Sequence, residues 1–325
     1  MRREDNHDHA GPIGDPIRLS NKPPLTSIND KSGLANDGAH TGTTPPKQTK
    51  KRRTQSHDIE ALRERLSERD LAILRSVAEH QFLTVRQIEA FYFADHPSAT
   101  GGRLARRALA RMRNLRLLGA TNRRVGGVRS GSAGMVHYID VVGDQLLDGR
   151  SGRGSRRFFN WSQRFVHHRL AIADTHLALI EADRQAQLEL VECLVEPASW
   201  RRFVGLGGAR LALKADLYIE IATTPGSDFV NPWFVELDLG TESIATVLKK
   251  CRDYEAYRRT GTEQADGSGF PLVAWSMTHP DPTKAERRRL ALRDAIDNDR
   301  NLPAALFRII APDKLIPLLT RGGAV

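Results

Sequence analysis

From Ser67 onward, apolar residues recur at steps of three and four, and the pattern predicts a run of short amphipathic helices before the first strands. Ser67 and Asp70 stand at capping-box spacing ahead of a helix that buries Leu71, Leu74, Val77 and Ala78. Thr84 and Gln87 open a second, which turns Val85, Ile88 and Phe91 inward. A third spans Thr100 to Gly119, with Leu104, Ala108, Met112 and Leu115 along one face and Gly119 as the residue that closes it. A strand over Ala120–Val125, a glycine-rich tip and a strand over Met135–Val142 then form a hairpin. Three helices followed by a hairpin predict a winged helix-turn-helix.

The period changes after Gly149. A long helix over Ser162–Asp183 is followed by strands over Leu188–Val195, Leu211–Ile221 and Trp233–Leu239. A helix over Glu242–Arg259 precedes a buried strand over Phe270–Met277, a charged helix over Thr283–Asp297 and a last strand over Ala304–Ile310. The order α-β-β-β-α-β-α-β predicts a three-layer α/β domain with a mixed sheet. Residues 1–57 lack apolar periodicity and read as a disordered tail ending in a basic cluster, and GRSGRGSRR within 149–160 reads as a flexible linker. The expected domains are thus residues 58–148 and 161–325.

Composition narrows the function. The net charge of +10 on 325 residues favours an anionic partner. The third helix concentrates that charge: Arg103, Arg107 and Arg111 lie at i, i+4 and i+8, with Arg106 and Arg113 beside them, and no Asp or Glu occurs from Thr100 through Ile139. Such arginines repel one another unless an anion neutralises them, so they are expected to enter the major groove of double-stranded DNA. Arg123, Arg124 and Arg129 are expected to add wing contacts to phosphate. A solvated basic face, or a winged helix used for protein contacts, is the alternative. Cys193 and Cys251 are not in a CxxC arrangement, and the uncharged runs are too short for a bilayer. Both features imply a cytoplasmic protein without membrane contact.

Candidate chemistry lies in the second domain. Glu236 and Asp238 are two apart on one strand and share a face, where Asp216 of the neighbouring strand meets them if the two pair. Clustered carboxylates repel unless a cation bridges them, and hard oxygen ligands suit Mg²⁺ or Mn²⁺. Lys214, Lys249 and Lys250 are the nearby positive charges. Solvent-facing acids that pair with local arginines are the alternative. His168 and His176 are two helical turns apart, with no third ligand at metal spacing.

This arrangement resembles the restriction-endonuclease-like superfamily, whose pattern is Pro-Asp, a spacer, then Asp/Glu-x-Lys. Here Lys214-Ala215-Asp216 lacks the proline, and Glu236-Leu237-Asp238 carries Asp where the lysine belongs. Some members of that superfamily take the lysine from the following helix, the place of Lys249 or Lys250. The resemblance implies Asp216, Glu236, Asp238 and Lys249 as catalytic residues, the three acids also holding metal.

The chain as a whole resembles the replication-relaxation family of mobile elements. The matching stretches are SERDLAILRSVAEHQFLTVRQI, the arginine helix ending RLLG, the hairpin ending VHYIDVVGDQLL, and WFVELDLGTESIATVLKKCRDYEAYRR. They cover about residues 66–277. The resemblance implies a DNA-binding protein that replicates, relaxes or mobilises a plasmid or conjugative element, alone or with other replication or mobilisation proteins, and possible as an oligomer. Two rivals stand beside it: a metal-dependent endonuclease or nickase, and a non-catalytic relaxosome or replication adaptor.

Overall fold

The computed structural model describes residues 17–18, 56–121, 135–148, 161–265 and 267–323. The expected wing tip with Arg123, Arg124 and Arg129, the linker, and all of the expected tail except Ile17–Arg18 and the two residues that open α1 lie outside the described residues.

Strand β1 (Ile17–Arg18) precedes four helices, α1 (Ser56–Glu64), α2 (Glu68–His80), α3 (Val85–Tyr92) and α4 (Ser98–Asn114). Both predicted capping boxes form: Ser67 and Thr84 each accept from the backbone N–H three residues on, and Asp70 and Gln87 each bond back to the cap. Ile73, Leu74, Val77, Ile88, Leu109 and Met112 form the core that these helices share. Burying each such side chain contributes about 1.5–3 kcal/mol. Strands β2 (Leu83–Thr84), β4 (Val136–Ile139) and β3 (Leu118–Ala120) make an antiparallel sheet in that order.

The end of α4 differs from the expectation. Arg116, not Gly119, takes the left-handed position at φ 57°. The Leu117 N–H then donates to the Met112 carbonyl and the Arg116 N–H to that of Arg113, both at 2.9 Å, so the helix closes five residues before Gly119. Gly119 serves packing instead, since a Cβ there would lie 2.4 Å from the Tyr138 ring. The strand expected to reach Val142 stops at Ile139 and is followed by helix α5 (Val141–Asp148). A Cβ on Gly143 of α5 would come within 2.2 Å of the Leu117 carbonyl oxygen, so only glycine permits this approach.

Helix α6 (Gln163–Arg184) leads to β5 (Glu189–Val195), a hairpin of β6 (Arg201–Val204) and β7 (Arg210–Leu213), then β8 (Leu217–Ala222) and β9 (Phe229–Asp238). After these come α7 (Ile244–Arg258), β10 (Leu272–Met277), α8 (Pro282–Asp297), β11 (Phe307–Ile310) and α9 (Leu315–Thr320). The main sheet runs β11-β10-β9-β8-β5, with β1 added against β9. Its β9, β10 and β11 are parallel, whereas β5, β8 and β9 are antiparallel, which makes it the expected mixed sheet. One face packs Val247, Cys251 and Tyr254 of α7 and Leu292 and Ile296 of α8 against Tyr218, Phe234 and Trp275. The other packs Ile172 and Leu179 of α6 and Leu318 of α9 against Ile219, Val235 and Ala274.

The stretch read as one strand, Leu211–Ile221, is two. Its first half pairs with β6 and its second with β5 and β9. The break falls at Lys214–Asp216, where the Ser199 hydroxyl donates to the Ala215 carbonyl at 2.5 Å and the Glu196 N–H to that of Asp216 at 3.1 Å.

Helix α6 also touches the N-terminal helices. Its Ala173 joins their core, and Gln87 donates to the Leu170 carbonyl at 2.9 Å and to Asp174 at 2.7 Å. Arg169 is fully buried there and donates to the carbonyls of Glu79 and His80, both at 3.0 Å, which end α2.

Candidate functional site

Helix α4 buries Gly101, Gly102, Ala105, Ala108, Leu109 and Met112. The buried stripe is turned slightly from the predicted one, leaving Leu104 and Leu115 half-buried. A Cβ on Gly101 would stand 3.0 Å from the Phe93 carbonyl, so the glycine pair lets α4 cross close to the end of α3. The arginines then divide. Arg103, Arg106 and Arg107 are exposed and make no ion pair among the described residues. Arg111 is different: its Nη2 bonds both carboxylate oxygens of buried Asp70, at 2.6 and 2.7 Å. Arg113 is half-buried, and its Nη1 lies 3.5 Å from the Met135 sulfur. The expectation that no carboxylate meets this helix therefore fails at Arg111, because Asp70 arrives from α2.

The second site forms where β8 and β9 meet. The register Leu217↔Val235 carries Asp216 alongside Glu236 one step further out. Asp216 Oδ2 accepts from the Leu237 N–H at 2.8 Å, and its Oδ1 lies 3.1 Å from His168 Nε2 of α6. Glu236 is 1% exposed and accepts from Lys250 Nζ at 2.5 Å and from the Tyr254 hydroxyl. Lys250 and Tyr254 are four apart, so one face of α7 carries both. Glu196, just past β5, is held by Arg169. His168, Glu196 and Asp216 each offer one ligand atom, and these atoms lie within 4.8 Å of one another.

Two expected members stand elsewhere. Asp238 shares the face of Glu236, but Arg288 of α8 takes its carboxylate at 2.6 and 3.0 Å, and the Gly240 N–H donates to it at 2.9 Å. Lys249 is exposed, one helical step of about 100° from Lys250. Lys250 is the lysine that reaches the carboxylates. Lys214 is exposed and lies over the Trp200 ring at 4.9 Å.

Electrostatics tie the inner group together. Burial opposes the charge on Asp216, but Lys250, His168 and the Leu237 N–H outweigh it and hold the carboxyl at about 2. Burial pushes Glu236 up to about 8, with Asp216 adding to the rise and Lys250 and Tyr254 opposing it. Lys250 is penalised by burial yet is pushed above its ordinary value by Glu236 and Asp216. Burial lowers the His168 imidazole, but Asp216 raises it further and the net shift is upward. Glu236 and Asp216 thus share one lysine, and at neutral pH most of the negative charge of the pair rests on Asp216. His168, Glu196 and Asp216 could hold a divalent ion, for which the imidazole nitrogen would favour Mn²⁺ or a later transition metal over Mg²⁺.

Glu196 and Arg169 escape a sequence reading, and nothing in it joins His168 to Asp216, because the two lie 48 residues apart and no local spacing connects them. The one available signal is Lys250-x-x-x-Tyr254 on the helix after the acidic strand. His176, the expected companion of His168, instead places Nδ1 3.1 Å from His80 Nε2 of α2.

A mixed α/β protein with a basic helix on one module and a buried acidic centre in another is the class that these features define. The chain belongs to the replication-relaxation family, which matches residues 74–273. No curated protein and no solved structure matches it. Among the described residues no helix is long and apolar enough to cross a membrane.

Proposed function

We propose that this protein binds double-stranded DNA in the replication or relaxation of a plasmid or conjugative element. The observation that supports this most is the row Arg103, Arg106 and Arg107, exposed on α4 with no acidic partner among the described residues. In this reading α2, α3 and α4 with the β2-β4-β3 sheet are a winged helix-turn-helix within residues 58–148, and α4 enters the major groove. Arg111 and Arg113 border the contact, and the wing arginines 123, 124 and 129 reach phosphate. In the same reading residues 161–325 are the α/β domain. Replacing Arg103 and Arg107 by Ala is expected to weaken duplex binding about tenfold and to flatten the salt dependence, each lost phosphate contact removing about 0.9 from the slope. An unchanged slope rules α4 out of the interface.

A second reading, metal-dependent DNA cleavage, is favoured by the pairing of Asp216 and Glu236 on one lysine. In this reading the order α6-β5-β8-β9-α7-β10 is that of a restriction-endonuclease-like core, and Lys250 on α7 takes the part of its lysine. Asp216, with His168 and Glu196, would hold Mn²⁺ or Mg²⁺, and Glu236 would join them at the scissile phosphate. Such an ion activates water and stabilises the charge that develops on phosphate. Lys250 adds positive charge at the same point, and Tyr254 fixes the Glu236 carboxyl. The test is supercoiled plasmid incubated with Mg²⁺, Mn²⁺ or EDTA. Metal-dependent nicking that Asp216→Ala and Glu236→Ala both lose supports cleavage. Binding without strand breaks in any metal leaves the domain a non-catalytic adaptor for other replication or mobilisation proteins.

A further inference from the structure

The β6–β7 hairpin leaves the body of the α/β domain immediately before Asp216, and its two faces differ in chemistry. The inner face is anchored. Arg201 lies over the Tyr218 ring at 4.3 Å and bonds Glu263 at 2.7 Å, and Phe203 packs on Tyr257 with ring centroids 5.1 Å apart. The outer face follows from alternation and from the register Arg202↔Ala212 and Val204↔Arg210. It carries Arg202, Val204, Arg210 and Ala212, all exposed, with Val204 at 64%. Exposed Lys214 continues the same alternation two residues beyond Ala212 and two before Asp216. Arg202 and Arg210 make no ion pair among the described residues, whereas Arg201 beside them bonds Glu263 and the Ser199 carbonyl. The root of the hairpin is thus held by the domain, while Arg202 and Arg210 on its outer face have no acidic partner among the described residues.

We infer that this hairpin is a second DNA-contacting arm, which grips the phosphodiester backbone of a duplex through Arg202, Arg210 and Lys214 and leads it towards Asp216. The inference rests on the DNA-binding reading above and adds a contact surface independent of α4. The occupant is duplex DNA because every charged side chain of the outer face is cationic, around a small apolar centre at Val204 and Ala212 of the kind that rests against a sugar edge or groove wall. The short helical turn Leu206–Gly208 at the tip has Gly207 and Gly208 at positive φ, with no heavy atom within 4 Å of a Cβ built at either. The tip therefore stands clear of the domain.

The test uses the full chain and a fluorescent duplex of mixed sequence over a range of salt concentrations. Arg202→Ala with Arg210→Ala is expected to lower affinity five- to twentyfold and to reduce the salt slope by about 1.8, with the thermal midpoint unchanged. A photoreactive residue at position 204 is expected to crosslink to the duplex. Arg202→Lys with Arg210→Lys restores the slope. Duplex binding with an unchanged slope in the Ala variant and no crosslink from position 204 overturns the arm alone. No duplex binding by the unaltered protein overturns the DNA reading and the arm with it.

Discussion

On α4, Arg103, Arg106 and Arg107 are exposed with no ion-pair partner among the described residues, while at the end of β8 and β9 the carboxylates of Asp216 and Glu236 are buried among Lys250, His168 and Tyr254. Both regions concentrate charge, but solvent treats them differently. An exposed guanidinium stays hydrated, so holding it costs the fold almost nothing. A buried carboxylate has lost its hydration, so each one must find a cation or a donor within the protein. The first region can change without disturbing the fold, whereas the second links chemistry to stability.

The largest expected effect breaks the buried side of this contrast. Lys250→Met removes the cation that holds Asp216 ionised, leaving that buried carboxylate uncompensated, and is expected to cost about 3–5 kcal/mol in urea unfolding. Adding Asp216→Asn to the same chain should recover most of that loss, because the amide carries no charge to desolvate. An unfolding midpoint insensitive to Lys250→Met would mean that the acidic centre is hydrated and resembles the arginine surface.

A smaller effect per group comes from His80 and His176, which lie between α2 and α6 and are stacked with centroids 5.2 Å apart. Burial is the main cause that lowers both imidazoles to about 4, and Ser76, whose carbonyl meets His80 Nδ1, only partly offsets it. Arg169 and Phe91 face the pair, and Glu79 and Asp174 lie on the same helices. The unfolded chain takes up protons as pH falls through about 6.5, and the folded chain only near 4. Stability is therefore full above the upper value and is lost between the two, by about 2 kcal/mol per imidazole at pH 5. Urea unfolding at pH 7.5 and 5.0 measures this, and His176→Phe should roughly halve the pH dependence. Equal slopes in the two chains would place the histidines in water.

The smallest effect sharpens the comparison within one helix. Arg111→Ala loses the bond to Asp70 and should cost about 1 kcal/mol, whereas Arg107→Ala should stay within about 0.5 kcal/mol of the unaltered protein. For DNA affinity the order should reverse, with Arg107→Ala the more damaging. Arginines that behave alike in both measurements would remove the distinction between a structural and a partner-seeking cation.

Local rules made much of the fold legible. Ser67 with Asp70 and Thr84 with Gln87 announced two helix starts, because a capping box is complete within four residues. The strands around Cys193, Glu236 and Trp275 and the helix through Tyr254 followed from period alone. Other features were hidden where contacts override local preference. Helix α5 begins at a position where alternation suggested a continuing strand, and Gly143 admits it against Leu117 only in three dimensions. Leu211–Ile221 reads as one strand, but Ser199 and Glu196 bond the chain at Ala215 and Asp216 and divide it.

The sequence by itself determined the family, the alternation that sets Glu236 and Asp238 on one face, and the cationic character of α4, since each is a property of neighbouring residues and helical or strand period. Tertiary structure alone decided which charges found one another. Lys250 rather than Lys249 reaches Glu236, Arg288 takes Asp238, Asp70 takes Arg111, and His168 and Glu196 come to Asp216 from two other elements. These pairings join residues far apart in the chain, and burial makes them obligatory, because a charge removed from water must be matched by whatever the fold brings beside it.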